Sequence, residues 1–435
     1  MADVKIAVLG AGSFVFGPSL LNDAIVERRL GTAEIALMDP NRQAVELMAG
    51  VGRRMARDTG VATTVTAHTD RAAALAGADF VVCSAARELW PRFATDCAVI
   101  ARHYPGHLVT EFGGVAGISS SLRQIALIRE ICADVHRLCP GAWLLNVANP
   151  LPRVAQAAHE EGVRTIGFCS ASLSGYGFLW QLLGHARAQI RFPFEPAISR
   201  LAVTMGGTNH LSWLTALSDA ATGEDLYPEV RRRVTEGATA GNPLSERLLR
   251  ETGYLLMPGD AHVRDFFAPT GEAPDRAEPS HGTPAERQAR LDLMRAVGAG
   301  EAPWDPLLAH RSWERPADVI AALVAGTPAR FTSLNLINAA GQMPDLPAGA
   351  FVETAARADR TGVHPERLDL PTAIRPLVQR TAAVTDMVVR AARERRAGLV
   401  LAAVEMDPTI TDKAAGRAAI AECLRAHADV LGPFA

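Results

Sequence analysis

Apolar and polar positions alternate in blocks along the first 170 or so residues. VKIAVLG is a β-branched apolar run that breaks at Gly10, Gly12 and Gly17, and helical spacing follows through Leu20, Leu21 and Ile25. The block then repeats: strand AEIALMD and helix NRQAVELMAGVGRRMA, strand TTVTAH and helix DRAAALAG, strand ADFVVCSA and the long amphipathic SSSLRQIALIREICADVHRLC. Strand AWLLNVANP, helix LPRVAQAAHEEG and strand TIGFCS complete the series. Strands that are apolar throughout and separated by helices predict a parallel sheet covered on both faces. Further on, LAVTMGGTNHLSWLTAL reads as a β-rich run, and AIRPLVQRTAAVTDMVVRAARERRAGLVLAAV as one or two long helices. APDRAEPSHGTPAERQARLDL reads as a polar loop leading into a helix, of the kind used for lids and subunit contacts.

A chain of 435 residues exceeds the usual size of one core, so two domains are expected. The expected division is a Rossmann-type doubly wound parallel sheet over residues 1–198 and an α+β domain over 199–435, the latter expected to carry substrate, metal and oligomer contacts. With 44 basic against 47 acidic residues, the chain has no basic excess for nucleic acid or a membrane surface, and the expected partner is a small molecule. Six cysteines without paired spacing, a start that runs straight into a strand, and no apolar run of about 18 residues point to a cytoplasmic protein outside the membrane.

The strand–glycine–helix junction is an anion site, because backbone N–H groups and the helix dipole face a pyrophosphate there. Gly10, Gly12, Ser13 and Phe14 are the candidate residues; the usual third glycine is Val15. Asp39 ends the second strand, where a carboxylate accepts hydrogen bonds from ribose hydroxyls and favours NAD over its 2′-phosphorylated form. Its other reading is a cap for the helix after Pro40 and Asn41. Asn146 and Asn149 end the NVANP strand and point at cofactor or substrate, or else mark a plain Asn-Pro turn. Cys169, at the end of TIGFCS, is either a packed thiol or a ligand. With His210, which follows Asn209 after two glycines, it offers two donors to an open divalent ion. A nicotinamide cofactor beside such an ion suggests oxidation of an alcohol.

These residues resemble glycoside hydrolase family 4, the NAD- and divalent-metal-dependent glycosidases of the lactate/malate dehydrogenase-like superfamily. The likeness is carried by GAGS at Gly10–Ser13, ALMD at Asp39, TEFGGVAGISSSLR with Glu111, Gly114 and Arg123, CPGAWLLNVANP, GFC at Cys169 and GTNH at His210. A late segment, NLINAAGQMPDLPAGAFVE from Asn335 to Glu353, matches the family's C-terminal signature, and the match spans residues 4 to about 375.

The resemblance implies glycoside cleavage by oxidation at C3, proton removal at C2, elimination of the C1 group, water addition and re-reduction. It makes Cys169 and His210 ligands of a divalent ion, expected to be manganese, and gives Asn149 and Asn209 to the substrate. For proton transfer it points to ETGYLLMPGDAHVRDFF: Asp260 and His262 first, Tyr254 and Asp265 behind them, with Glu111 as a further catalytic candidate. Asp260 is alternatively a helix cap. Many members carry His, Asp or Asn after the cysteine, whereas here stands Ser170, a poor acid at neutral pH. Arg87 and Arg92 after the fourth strand suit a uronide, 6-phosphoglycoside or sulfoquinovoside, or are ordinary surface arginines. An α-hexopyranoside and a homodimer or homotetramer are expected. The competing readings are an NAD-dependent dehydrogenase of a sugar or 2-hydroxy acid and a non-catalytic NAD-sensing module.

Overall fold

The computed structural model of the chain describes residues 4–14, 16–186, 196–271, 283–309 and 311–435. Its first six strands are β1 (Lys5–Leu9), β2 (Glu34–Met38), β3 (Thr64–His68), β4 (Phe80–Cys83), β5 (Trp143–Asn146) and β6 (Arg164–Gly167). They pair in parallel in the order β3-β2-β1-β4-β5-β6, which reverses direction between β1 and β4. Alternate residues of β1 show why the run is apolar throughout. Ile6 and Val8 enter a core with Met48, Val51 and Met55 of the helix Arg42–Thr59. Ala7 and Leu9 enter the opposite core, with Ile118, Leu122 and Ile125 of the helix Gly114–Leu138. Period-2 alternation therefore sorts side chains between two buried faces rather than between core and water.

The remaining strands extend the same sheet. They are β7 (Leu201–Thr208), β8 (Leu211–Asp219), β9 (Ala329–Ile337), β10 (Phe351–Asp359) and β11 (Gly362–Pro365). β9 joins β6 antiparallel at Gly167 and Asn335, and the order continues β9-β10-β7-β8 with β11 on β10. One 11-stranded sheet thus runs through both halves of the chain.

The C-terminal helices Arg375–Glu394, Ala397–Met406 and Lys413–Ala426 do not stay with the second half. Val388, Val404 and Ile420 lie in the same apolar core as Ala7, Leu9 and Ile118. A buried ionic network seals the return: Asp96 pairs with Arg123 at 2.6 Å and with His427 at 2.9 Å, and Ser119 Oγ donates to it at 2.8 Å. Arg123, part of the glycine-rich motif, is committed to this network.

The segment after β4, read in the sequence as a sugar-contacting stretch, starts the helix Leu89–His103, and Leu89 and Trp90 stand exposed at its first turn. Of the polar segment expected to form a lid, residues 284–299 are a helix with a capping box at Thr283 and Glu286, and residues 272–282 lie outside the described part. Among the described residues no helix is long and apolar enough to cross a membrane.

Candidate functional site

The site lies along one edge of the sheet. Leu9, Cys83, Asn146 and Gly167 are successive register partners, so four strand ends stand level. Gly10 follows β1 with φ 80°, and a Cβ there would lie 2.8 Å from backbone atoms of Ser84 and Ala85, so only glycine allows the two strand ends to cross so closely. Gly12 donates its N–H to Asp39 Oδ2 at 3.0 Å, and a Cβ on Gly12 would sit 2.7 Å from that oxygen. Asp39 Oδ1 accepts the N–H of Asn41, and it is Asn41 whose side chain caps the helix Arg42–Thr59 by accepting from Ala44. The carboxylate of Asp39 is thereby held against the glycine turn, with two lone-pair sites left over. Ser13 Oγ accepts the N–H of Phe16, Phe14 packs partly buried on the adjoining core, and Val15 lies outside the described residues.

Asn146 is fully buried and turns its amide onto its own chain, donating to the Ala148 carbonyl at 2.9 Å and accepting the Ala148 N–H. Its expected aim at a cofactor is replaced by this local turn. Asn149, three residues on and half-buried, donates to Glu111 Oε1 at 3.1 Å.

Cys169 lies two residues beyond β6. Its partner comes from the β7–β8 hairpin, whose two-residue turn is Asn209 and His210, since Thr208 pairs with Leu211. Gly207 permits this turn, because a Cβ there would lie 2.3 Å from the Leu211 carbonyl oxygen. His210 adopts φ 63°, a left-handed conformation that a bulky side chain occupies at a cost of about 1–3 kcal/mol and that clusters at functional sites. Its Nε2 stands 3.2 Å from Cys169 Sγ. The His210 ring is held between the ring of Phe112 at 4.2 Å and that of His262 at 4.5 Å. The Phe112 N–H is in turn held by Asp265 Oδ2 at 3.0 Å, and the Gly114 N–H by Asp407 Oδ2 at 2.9 Å.

Burial pushes the Cys169 thiol above its ordinary range, and the nearby carboxylates of Glu314 and Glu353 push it the same way, against the Asn209 side chain and the Ala171 N–H. Glu353, also raised by burial, accepts from Ser333 Oγ at 2.5 Å and from Asn209 at 3.4 Å. A thiol and an imidazole at 3.2 Å are spaced as two donors meeting one first-row ion at roughly a right angle, with bonds of about 2.3 and 2.1 Å. A bound cation would also reverse the electrostatics that now disfavour the thiolate. Among the described residues no third His, Cys, Asp or Glu completes a metal-holding cluster, which leaves positions for substrate oxygens. The residues present fit an open divalent site.

Other candidates lie elsewhere. Asp260 is 1% exposed and accepts from the N–H groups of Leu244 and Ser245 and from Ser245 Oγ, at 2.7, 3.0 and 2.6 Å. It caps the helix Pro243–Thr252 from outside, as the capping alternative anticipated but on a different helix. Tyr254 packs by Tyr227, with the Arg231 guanidinium over its ring at 5.4 Å. Arg87 pairs with Glu130 at 2.7 Å, and Arg92 with Asp429 at 2.7 Å and Glu88 at 2.5 Å. Sequence reasoning missed Phe112, Glu314 and the role of Glu353. Glu353 had a signal, a lone carboxylate in the apolar strand FVETAARA; Glu314, in RSWERP, had none.

A glycine turn with its acidic partner on a doubly wound sheet, and a thiol–imidazole pair at the same edge, define an enzyme that handles a small molecule beside a dinucleotide-binding fold. Residues 5–184 match the model of the family 4 glycosyl hydrolases, and residues 205–410 match that of the family 4 glycosyl hydrolase C-terminal domain. The chain belongs to glycosyl hydrolase family 4. It is 26% identical to an alpha-glucosidase of Erwinia rhapontici over 93% of each chain, and 27% identical to an alpha-galactosidase of Bacillus subtilis over 99% of each. An alpha-galacturonidase of Lachnoclostridium phytofermentans is 26% identical over 95% of this chain and 93% of its own. Among solved structures, a 6-phospho-alpha-glucosidase from gut microorganisms in complex with NAD and Mn2+ superposes with TM-score 0.78 at 19% identity, covering all of both chains. A malate dehydrogenase of Plasmodium falciparum in complex with NADH gives 0.52 at 13% identity, covering 91% of this chain and all of its own. The last two establish the fold shared with the dehydrogenases.

Proposed function

We propose that this family 4 enzyme cleaves an α-hexopyranoside with NAD on the glycine turn and a divalent ion, manganese, on Cys169 and His210. The observation that carries the reading is the 3.2 Å Sγ–Nε2 approach at the sheet edge that also bears Gly10, Gly12 and Asp39. When bound, NAD supplies a reversible hydride acceptor for the sugar's C3 and the ion a Lewis acid for its O2 and O3, which makes the C2 hydrogen acidic and allows elimination at C1.

The chain's own residues divide the remaining work. The turn of Gly10, Gly12, Ser13 and Phe14 receives the pyrophosphate, its glycines allowing close approach while their own N–H groups donate to the Met38 carbonyl oxygen and Asp39 Oδ2, and the free lone pairs of Asp39 take the ribose hydroxyls. Asn149, braced by Glu111, and Asn209, braced by Glu353, orient sugar oxygens. His262, against the His210 ring, is assigned the C2 proton. The anionic glycone expected from Arg87 and Arg92 loses its support, because both guanidiniums are engaged in ion pairs. Six free cysteines support a cytoplasmic enzyme, and we assign it a homodimeric or homotetrameric state.

The test is aglycone release from neutral, uronic, 6-phospho and sulfo α- and β-glycosides, with and without NAD and manganese. Cleavage that needs NAD catalytically and is abolished in Cys169→Ser, with NAD affinity kept, is the expected result. Stoichiometric NADH without cleavage would make the protein a dehydrogenase of a sugar or 2-hydroxy acid instead.

A further inference from the structure

Ser170, next to the metal-ligand thiol, has a partner that the reading above leaves without a task. Its hydroxyl donates to Glu314 Oε1 at 2.7 Å, and its backbone N–H donates to the same oxygen at 3.0 Å. The other oxygen of Glu314 accepts the hydroxyl of Ser312, whose N–H is tied to Ser19 Oγ at 2.9 Å on the first helix of the nucleotide-binding half. Glu314 is therefore a fixed carboxylate, held through both of its oxygens.

Two consequences follow from elementary chemistry. A serine hydroxyl has one proton and two lone pairs. With the proton given to Glu314, Oγ can only accept, so Ser170 recognises an O–H and does not protonate a leaving group. The second consequence is charge. Glu314 and Cys169 share the wall of a cavity of about 910 Å3, and Glu353 is near enough to disfavour the charged thiol as well. Arg28, Arg315 and Arg330 line the same cavity, but Arg28 is paired with Asp318, Arg330 with Glu366, and the Arg315 guanidinium is divided among Asp318, Glu27 and Asp23. Arg87 and Arg92 are paired as described. The two carboxylates that act on the thiol are thus met by serine and asparagine groups, and the three arginines of the cavity wall are each held in ion pairs.

We propose that Glu314, acting through Ser170, is a specificity-determining residue that makes Ser170 Oγ an acceptor for one sugar hydroxyl and favours a neutral hexoside over one carrying phosphate, sulfonate or carboxylate. This rests on the glycosidase reading and narrows its substrate class. A unit charge about 8 Å from an anionic group, at an effective dielectric of about 20, shifts relative binding roughly thirtyfold.

The experiment measures kcat/KM on matched pairs, nitrophenyl α-glucoside with its 6-phosphate and nitrophenyl α-galactoside with the α-galacturonide, with NAD and manganese present. Wild type, Glu314→Gln, Glu314→Asp and Ser170→Ala are compared, with NADH affinity and melting temperature as checks on folding. Wild type should favour the neutral member of each pair about thirtyfold, Glu314→Gln should narrow that ratio about tenfold, Glu314→Asp should keep most of it, and Ser170→Ala should lower the neutral rate about tenfold with NADH affinity unchanged. A wild-type preference for either anionic substrate, or equal effects of Glu314→Gln on both members, overturns the proposal. If wild type cleaves neither pair, the glycosidase reading fails, and calorimetric titration of the NAD- and manganese-loaded protein with galactose and with galacturonate decides this one: tighter galactose sustains it, tighter galacturonate overturns it.

Discussion

Replacing Asp39 by Ala removes a carboxylate that already accepts two hydrogen bonds from its own chain. Its Oδ2 accepts the Gly12 N–H at 3.0 Å and its Oδ1 the Asn41 N–H at 2.9 Å. A carboxylate offers about four lone-pair sites, so two remain for the two hydroxyls of an adenosine ribose. A hydrogen bond to a charged acceptor contributes about 1.5–3 kcal/mol net, so the loss of even one effective ribose contact predicts NADH binding roughly 10- to 100-fold weaker. Asp39 is half-buried, and water can reach the freed N–H groups, so the stability loss should stay near 1–2 kcal/mol. The repulsion that excludes a 2′-phosphate disappears with the carboxylate, so the NADH-to-NADPH affinity ratio should fall more steeply than NADH affinity itself. Fluorescence titration of both reduced cofactors into wild type, Asp39→Asn and Asp39→Ala measures this, with Asp39→Asn intermediate because one acceptor oxygen survives. A folded Asp39→Ala protein that binds NADH within about twofold of wild type would refute the ribose role and leave Asp39 a brace for the glycine turn.

Asp260→Asn should cost roughly 1–3 kcal/mol in urea unfolding, because an amide cannot accept all three donors now on Asp260, while kcat stays within about fivefold. A fall of about a hundredfold or more at unchanged stability would return Asp260 to the proton-transfer role. Asp96→Ala leaves Arg123 and His427 buried without their counter-charge and should destabilise by about 3–5 kcal/mol, seen as a lower urea midpoint. Burial opposes the charge of Asp96, but His427, Arg123 and Ser119 outweigh it and hold its pKa below the usual value. The network's contribution is therefore present above the unfolded pKa and lost as pH falls through the folded one, and Asp96→Asn should flatten that acid limb. Asp23 has the opposite sign: burial, partly offset by Arg315 and Arg311, raises its pKa from 3.8 to about 6. Its folded form keeps a proton that the unfolded chain has released, so this group's contribution falls as pH rises between those values, by up to about 3 kcal/mol. Unfolding curves of wild type and Asp23→Asn across that range should diverge accordingly, and parallel curves would remove the buried carboxyl from the account.

The alternation of strands and helices was legible because each parallel strand buries two faces and each helix one stripe, and both periods survive in a single sequence. Ile6 and Ala7 point into different cores, yet both had to be apolar. The cysteine and histidine were visible at strand ends and could be paired as two donors to one ion from their residue types, and the family resemblance then made them its ligands across 41 residues of sequence. Contacts that set charge were not legible. Ser170 and Glu314 are 144 positions apart, and Arg92 and Asp429 are 337, so nothing local marks which acid meets which base. Asp260 shows the converse: a carboxylate inside a catalytic-looking motif whose helix-capping donors, 15 and 16 positions earlier in the chain, claim both of its oxygens.

The return of the C-terminal helices onto the first half bears on how the chain folds as it is made. Ile118, Leu122 and Ile125 are covered by Val388, Val404 and Ile420, so a nascent chain that has completed β1 to β6 still presents an uncovered apolar flank. Domains generally fold as units, amino-terminal part first, during synthesis. Here the amino-terminal unit is not closed until about 250 further residues, up to Ile420, have been translated, and the Asp96–Arg123 pair waits about 300 for His427. Emergence of the segment from Val388 to His427, rather than of the nucleotide-binding strands, should mark the moment at which this enzyme becomes resistant to proteolysis.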